Sequence, residues 1–463
     1  MSIHKNTEGR QMIFAKQAKL STGWAHNVRI SLGDQVIYQI ETDQRFTAGD
    51  VSVDTLLPAI GNLHSHSFQR AMAGMTEYRM AGRDSFWTWR DLMYRFTSHL
   101  NPEHIEAIAA FVFLEMQEAG YASVGEFHYI HHQPDGTPYD DLGELSARIA
   151  AAAATTGIGL THLPVLYSYG GAGQLPLETG QARFGNGLDR FNALVSRARD
   201  VVGVLPADCR VGIAPHSLRA TSPEDLDAVV QTHPDGPVHI HISEQPKEVA
   251  DITAWLGARP VDWLLEHADV GRNWCLIHAT HMTSQETVNL ARSGAVAGLC
   301  PITEANLGDG PFNGPSYLEA GGAFGIGSDS NVNVSLTEEL RTLEYSQRLR
   351  DVARNVMVVD EGSIGETLYA GAAKGGAQAL GRGSGEIAVG ELADLVAIDS
   401  TDPALCALQT HQVLDGLAFA AKDRVVTDVW SAGRHAVKEG RHIHRDSIIA
   451  AYRSAMQSVM ALL

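Results

Sequence analysis

The residues best suited to chemistry begin with two histidines, His64 and His66, in the stretch Leu63-His64-Ser65-His66-Ser67. Upstream lies the apolar run Thr55-Leu56-Leu57-Pro58-Ala59-Ile60, then Gly61-Asn62, which reads as the end of a buried strand. Side chains two residues apart on extended backbone share a face, so two imidazoles there can grip one metal ion. The pair alone is a weak signal, because His-x-His arises by chance. Further along stand His241 and Glu244, His278 and His281, and Asp329, residue types that ligate divalent ions and carry protons. They can act together only if the elements that carry them converge.

From Pro58 onward the chain alternates strand and helix. Buried-strand candidates are the run before His64, Ala122–His128, Gly157–Leu166, Arg210–Ala214, Val238–Ile242, Trp274–His278, Val296–Cys300 and Phe324–Ser328. Between them lie helical segments. Asn101-Pro102-Glu103 opens one with a cap, a first-turn proline and an acid; Ser222-Pro223-Glu224-Asp225 opens another; Lys247 to Leu256 reads as a third. Eight strands alternating with helices match a parallel (β/α)8 TIM-like barrel. A doubly wound open sheet is the alternative, but its first turn usually carries glycines for phosphate, and here it carries histidines.

The two ends of the chain have a different texture. Residues 1–57 hold short strands around a Gly33-Asp34 turn. Residues 385–399 read as strand, turn, strand; Arg424–Trp430 and His435–Val437 as two more strands; Asp446 to Leu463 as a helix. The expected organisation is an α/β protein. A catalytic barrel over residues 58–383 is flanked by a small β-rich domain built from residues 1–57 and 384–463.

In such a barrel, working residues sit at the C-terminal ends of strands. Here the first strand ends in His64-Ser65-His66, the fifth in His241-Ile242-Ser243-Glu244, the sixth in His278-Ala279-Thr280-His281 and the eighth in Ser328-Asp329-Ser330. Structural histidines scattered at random have no reason to fall at these ends, so the metal reading becomes strong.

This arrangement resembles the amidohydrolase superfamily. The resemblance implies metal-dependent hydrolysis on a (β/α)8 barrel with a small β domain from both chain ends. Glu244, three residues after the fifth-strand histidine, matches the members that hold one metal ion and release ammonia from C=N carbons. The two-metal members carry a bridging lysine, or sometimes a glutamate, at the third or fourth strand end. Those ends here read His162-Leu163-Pro164 and Ala214-Pro215-His216, with no lysine. The resemblance thus implies one divalent ion, zinc first among the candidates, held by His64, His66, His241 and Asp329. Glu244, His278 and Asp329 carry the proton transfers, with His281 as an alternative to His278 or as an outer residue.

Longer motifs narrow the resemblance to the branch that deiminates N-formimino-L-glutamate. They are Asn62–Gly74, Phe86-Trp87-Thr88-Trp89-Arg90, Gly125-Glu126-Phe127-His128-Tyr129, Ala214–Arg219, His239–Gln245 and Leu299–Gly310. A small dicarboxylate amidine needs arginines, because guanidinium pairs bidentately with carboxylate. Arg90, in the loop after the first barrel strand, and Arg219, just past the fourth, are the candidates, and the resemblance adds Gln69, Tyr129 and His216 as substrate contacts. Each has an alternative. Arg90 can be a structural arginine stacked on Trp87 or Trp89, Arg219 a surface helix-entry residue, Gln69 a helix cap and Tyr129 a core residue. Glu304 and Asn306 either shape the pocket or order the seventh loop. The main rival function is a purine or pteridine deaminase with the same metal set; a metal-bound, non-catalytic scaffold has no use for Glu244.

Composition bounds these readings. Among 463 residues, 44% are hydrophobic and the formal net charge is −19, which argues against a nucleic-acid or anionic-membrane surface. The four cysteines, Cys209, Cys275, Cys300 and Cys406, form no CxxC pair and fit a reducing cytosol. No signal-peptide core or membrane-length apolar run stands out. A cytoplasmic enzyme is expected, with room for a homodimer.

Overall fold

The computed structural model describes residues 11–78 and 86–462; the parts of the expectations that fall on residues 1–10 and Leu463 lie outside them. Both chain ends build one eight-stranded sheet. From one edge its strands are Arg441–His442, Arg434–Lys438, Val426–Ser431, Leu395–Ile398, Val51–Pro58, Gln11–Leu20, Gly23–Gly33 and Val36–Glu41. All neighbours are antiparallel except Gln11–Leu20 and Val51–Pro58, which run parallel with Ile13 opposite Val51. Alternating residues such as Ile13, Ala15, Val28, Ile30, Leu395 and Trp430 bury one face as a separate core, as period-two patterning requires.

The body is a closed parallel barrel. Ile60–Ser65, Tyr121–His128, Gly159–Leu166 and a broken fourth strand (Arg210–Val211, Ala214–Pro215) form one half. Val238–Ile242, Trp274–His278, Val296–Leu299 and Ala323–Ile326 form the other. Single parallel bridges close it: Ile213 to Val238 and Ser217 to His241 on one side, Ser65 to Asp329 on the other. At that second seam His66 N–H donates to the Asp329 carbonyl and Asp329 N–H to the His64 carbonyl, both at 2.9 Å. Leu63, the residue before His64, plugs the interior; a Cβ on Gly325 would come within 2.4 Å of its side chain, so the small residue is what lets Leu63 fill the barrel.

The helices form for the reasons their sequences state. Pro102–Glu118 starts with the Asn101 side chain accepting from His104 N–H and a proline in the first turn. Pro223–Thr232 is capped by Ser222. Arg445–Met460 packs back on the first of these, Tyr452 stacked on Phe111 with ring centroids 4.1 Å apart. Where barrel meets sheet, a buried ionic cluster joins them. Arg382 grips Asp394 at 2.9 Å and Asp208 at 3.2 Å, and Arg434 from the sheet takes Asp208 at 2.8 Å.

Three expectations are corrected. The run Thr55–Ile60 is not one strand. Val51–Pro58 belongs to the small sheet, Ala59 N–H turns to the Asp394 carbonyl, and the barrel strand starts at Ile60. Of residues 385–399 only Leu395–Ile398 is a strand; Ile387 is buried and accepts a single bond from Ser21, and Gly390 turns at φ 94°. Arg90 lies on a helix, Phe86–Thr97, rather than a loop. Among the described residues no helix is long and apolar enough to cross a membrane, and all four cysteines are free thiols.

Candidate active site

Four donor atoms converge at the C-terminal mouth of the barrel. His64 Nε2 and His241 Nε2 lie 3.0 Å apart. Asp329 Oδ1 lies 3.4 Å from His64 Nε2 and 3.3 Å from His66 Nε2. Zinc bonds to such donors imply tetrahedral edges of about 3.3 Å, so the spacing fits one ion. The chemistry of the donors fits as well. His66 Nδ1 meets the Phe127 carbonyl at 2.8 Å; a carbonyl only accepts, so Nδ1 carries the proton and Nε2 presents a lone pair. Burial, reinforced by the neighbouring imidazoles, holds His64 and His241 well below the ordinary histidine value and brings His66 down to about 3. Neutral rings are what ligation requires. The fit has a backbone cause too: Gly327 runs against His64, and a Cβ there would come within 2.8 Å of its N and O atoms.

Beside the donors stand the candidate proton carriers. His278 Nε2 is 3.8 Å from Glu244 Oε1 and 3.9 Å from Asp329 Oδ2. Burial alone would lower His278, but Glu244, the Glu304 hydrogen bond and Asp329 outweigh it and hold the imidazole up at about 10. Burial raises Glu244 against the pull of His278 and Arg219. The strand ends are bent to achieve this: Ser243, His278, Ala279 and Asp329 all take φ between 47° and 69°. Non-glycine residues in that region carry strain of about 1–3 kcal/mol each, typical of functional sites.

A pocket opens over these groups. Its lining includes His66, His241, Glu244, His278 and Asp329, and every expected substrate contact: Gln69, Arg90, Tyr129, His216 and Arg219. Gln69 does not cap its short 3-10 helix, Ser67–Met72; its amide donates to the Tyr129 hydroxyl at 2.7 Å, and its Oε1 stays buried without a partner. Tyr129 is at once core and pocket wall. His216, lowered by burial and by Arg219, meets Ser217 Oγ at 2.9 Å. Arg219 is mostly buried, with 11% of its side chain exposed, rather than a surface residue, and reaches Glu244 at 3.3 Å and Glu248 at 3.6 Å. Arg90 stacks on Trp87, its Cζ 4.8 Å from the ring centroid, and also lines the pocket. His281 does not; it lines a separate surface groove.

Two further residues complete the site. Glu304 Oε1 receives His278 Nδ1–H at 3.2 Å and Cys300 N–H at 2.9 Å. Glu248 accepts the Ser243 and Glu244 N–H groups, both at 3.1 Å, and so braces the loop that carries Glu244. Glu304 stands four residues past the helix N-cap Cys300, one beyond the capping-box position, so no local pattern marked either residue. Asn306 is exposed and donates to Glu77 at 2.9 Å, outside the pocket.

Known proteins resemble this chain over most of its length. Residues 55–436 match the model "Amidohydrolase family", and residues 10–52 match "Formimidoylglutamate deiminase HutF, N-terminal domain". Formimidoylglutamate deiminase of Pseudomonas aeruginosa is 50% identical over 433 residues, covering 93% of this chain and 95% of its own. A 5-methylthioadenosine/S-adenosylhomocysteine deaminase of Natronomonas pharaonis is 26% identical over 86% of this chain and 84% of its own. Among solved structures, an amidohydrolase from Brucella melitensis superposes with a TM-score of 0.93 at 48% identity, covering 97% of this chain and 100% of its own. With its barrel, its strand-end histidines and these matches, the chain belongs to the amidohydrolase family.

Proposed function

We propose that this protein hydrolyses N-formimino-L-glutamate to N-formyl-L-glutamate and ammonia, a deimination step of histidine degradation. The observation that carries the reading is the pairing of Arg90 and Arg219 with the donor cluster in one pocket. Among the described residues Arg90 has no carboxylate partner, and its Nε is buried without a hydrogen bond. A guanidinium kept this way suits an incoming carboxylate. The deiminase name of the half-identical relative points to the same substrate.

In this reading His64, His66, His241 and Asp329 hold one divalent ion, zinc by the character of the donors. When bound, that ion supplies an activated water as nucleophile. The arginines anchor the dicarboxylate end at the mouth and send the formimino carbon toward the floor. Asp329 Oδ2, turned to His278, accepts the proton of the attacking water. His278, held protonated by Glu244 and Glu304, stabilises negative charge as the carbon becomes tetrahedral. Glu244 delivers a proton to the terminal nitrogen, the C–N bond to it breaks, and ammonia leaves. Gln69, Tyr129 and His216 hydrogen-bond the bound substrate. We read the barrel over 58–383 as the catalytic unit and residues 1–57 with 384–463 as its flanking domain.

The test is ammonia release from N-formimino-L-glutamate set beside guanine and a pteridine. Strong preference for the dicarboxylate is expected; turnover of the bases instead would overturn the reading.

A further inference from the structure

Helix Phe86–Thr97 places Trp87, Arg90 and Tyr94 three and four residues apart, on one face. Arg90 Cζ lies 4.8 Å from the Trp87 ring centroid and 5.4 Å from that of Tyr94. Two more cations meet the same indole from other elements: Arg219 Cζ at 5.9 Å and Lys247 Nζ at 5.5 Å. Three like charges around one side chain repel each other, and their partners differ. Arg219 has Glu244 and Glu248, and Lys247 has Asp251 at 2.5 Å. Arg90, among the described residues, has only aromatic faces.

That difference has a chemical consequence. An aromatic face attracts a cation through its quadrupole without neutralising it, and leaves the N–H edge of a guanidinium open. A carboxylate in the same place would occupy that edge. The bulk charge of −19 disfavours a pair of carboxylates, so a local positive array at the mouth is what admits them. Resting on the reading of the substrate as a dicarboxylate amidine, we propose that Trp87 is a specificity-determining positioning residue. Its indole holds Arg90 beside Arg219 and Lys247, so that a substrate with two carboxylates is selected over one with a single carboxylate.

The experiment uses the full-length zinc-loaded protein and its Trp87→Leu and Trp87→Phe variants. Each is assayed on N-formimino-L-glutamate and on two analogues, each lacking one carboxylate. Trp87→Leu is expected to raise KM for the dicarboxylate roughly tenfold and leave kcat nearly unchanged, with Trp87→Phe recovering most of the loss. The analogue lacking the carboxylate that Arg90 takes should show no such rise. An equal loss on all three substrates, or a loss confined to kcat, would show a merely structural role. Should Trp87→Leu not fold, Lys247→Gln, at an exposed side chain, is expected to raise KM for the dicarboxylate about threefold; an unchanged KM there contradicts the array. Wild-type protein inactive on the dicarboxylate defeats the substrate reading and this inference with it. Wild-type activity with an unchanged Trp87→Leu KM defeats this inference alone.

Discussion

Glu304 does for His278 what the Phe127 carbonyl does for His66: each takes the Nδ1–H and so fixes which nitrogen faces the pocket. Removing such a partner leaves the ring in place but free to turn, and for His278 it also takes away one of the carboxylates that hold the ring protonated. Glu304→Ala is expected to lower kcat roughly ten- to hundredfold with KM little changed, Glu304→Gln less, because its amide oxygen can still accept. Steady-state kinetics on both variants check this; a pure KM effect would place Glu304 at the substrate instead. Glu244→Gln keeps the shape but cannot carry a proton, so a loss of about 10²–10⁴-fold in kcat is expected, with metal content by atomic absorption unchanged. Full activity in that variant would remove Glu244 from the chemistry. Arg90→Met removes a charge-assisted contact of about 1.5–3 kcal/mol, to be seen as a higher KM for the dicarboxylate with kcat retained.

At the scale of elements, the site depends on how closely the eighth strand approaches the first. Gly327 lies against the backbone of His64, so Gly327→Ala must push the strands apart where their ends carry His64 and Asp329. A fall in zinc affinity is expected, larger than any loss in melting temperature would suggest, and competition with a chromophoric chelator measures it. The same elements show what the sequence made legible. His64, His241, His278 and Asp329 each close an apolar run, so their convergence could be read from strand periodicity and the rule for strand ends. The boundary between Val51–Pro58 and Ile60–Ser65 could not, because two buried strands in line look like one apolar stretch, and only Ala59 turning to Asp394 separates them. The fourth strand is legible as a run but broken in fact: between Arg210–Val211 and Ala214–Pro215 the pairing to Gly159–Leu166 lapses, and Ile213 N–H turns to the Pro237 carbonyl instead. Pairing of Arg219 with Glu244 and Glu248 was hidden for another reason: it depends on the approach of two loops from different strands, which no local pattern encodes.

Across the whole molecule, the small sheet is tied to the barrel through Arg382, whose side chain is 0% exposed, and its partners Asp208 and Asp394. Breaking a buried ion cluster by removing one member strands the others, at about 3–5 kcal/mol. Arg382→Met is therefore expected to lower stability by that amount in urea unfolding while the folded fraction keeps its KM, since the cluster lies away from the pocket lining. A wild-type midpoint would mean that the joint contributes nothing. The account as a whole stands on the identity of the reaction. Its most direct test is the product mixture, by NMR, after the zinc-loaded protein has acted on N-formimino-L-glutamate. Ammonia and N-formyl-L-glutamate in equal amounts are expected. Formamide and glutamate, or unchanged substrate, would contradict it.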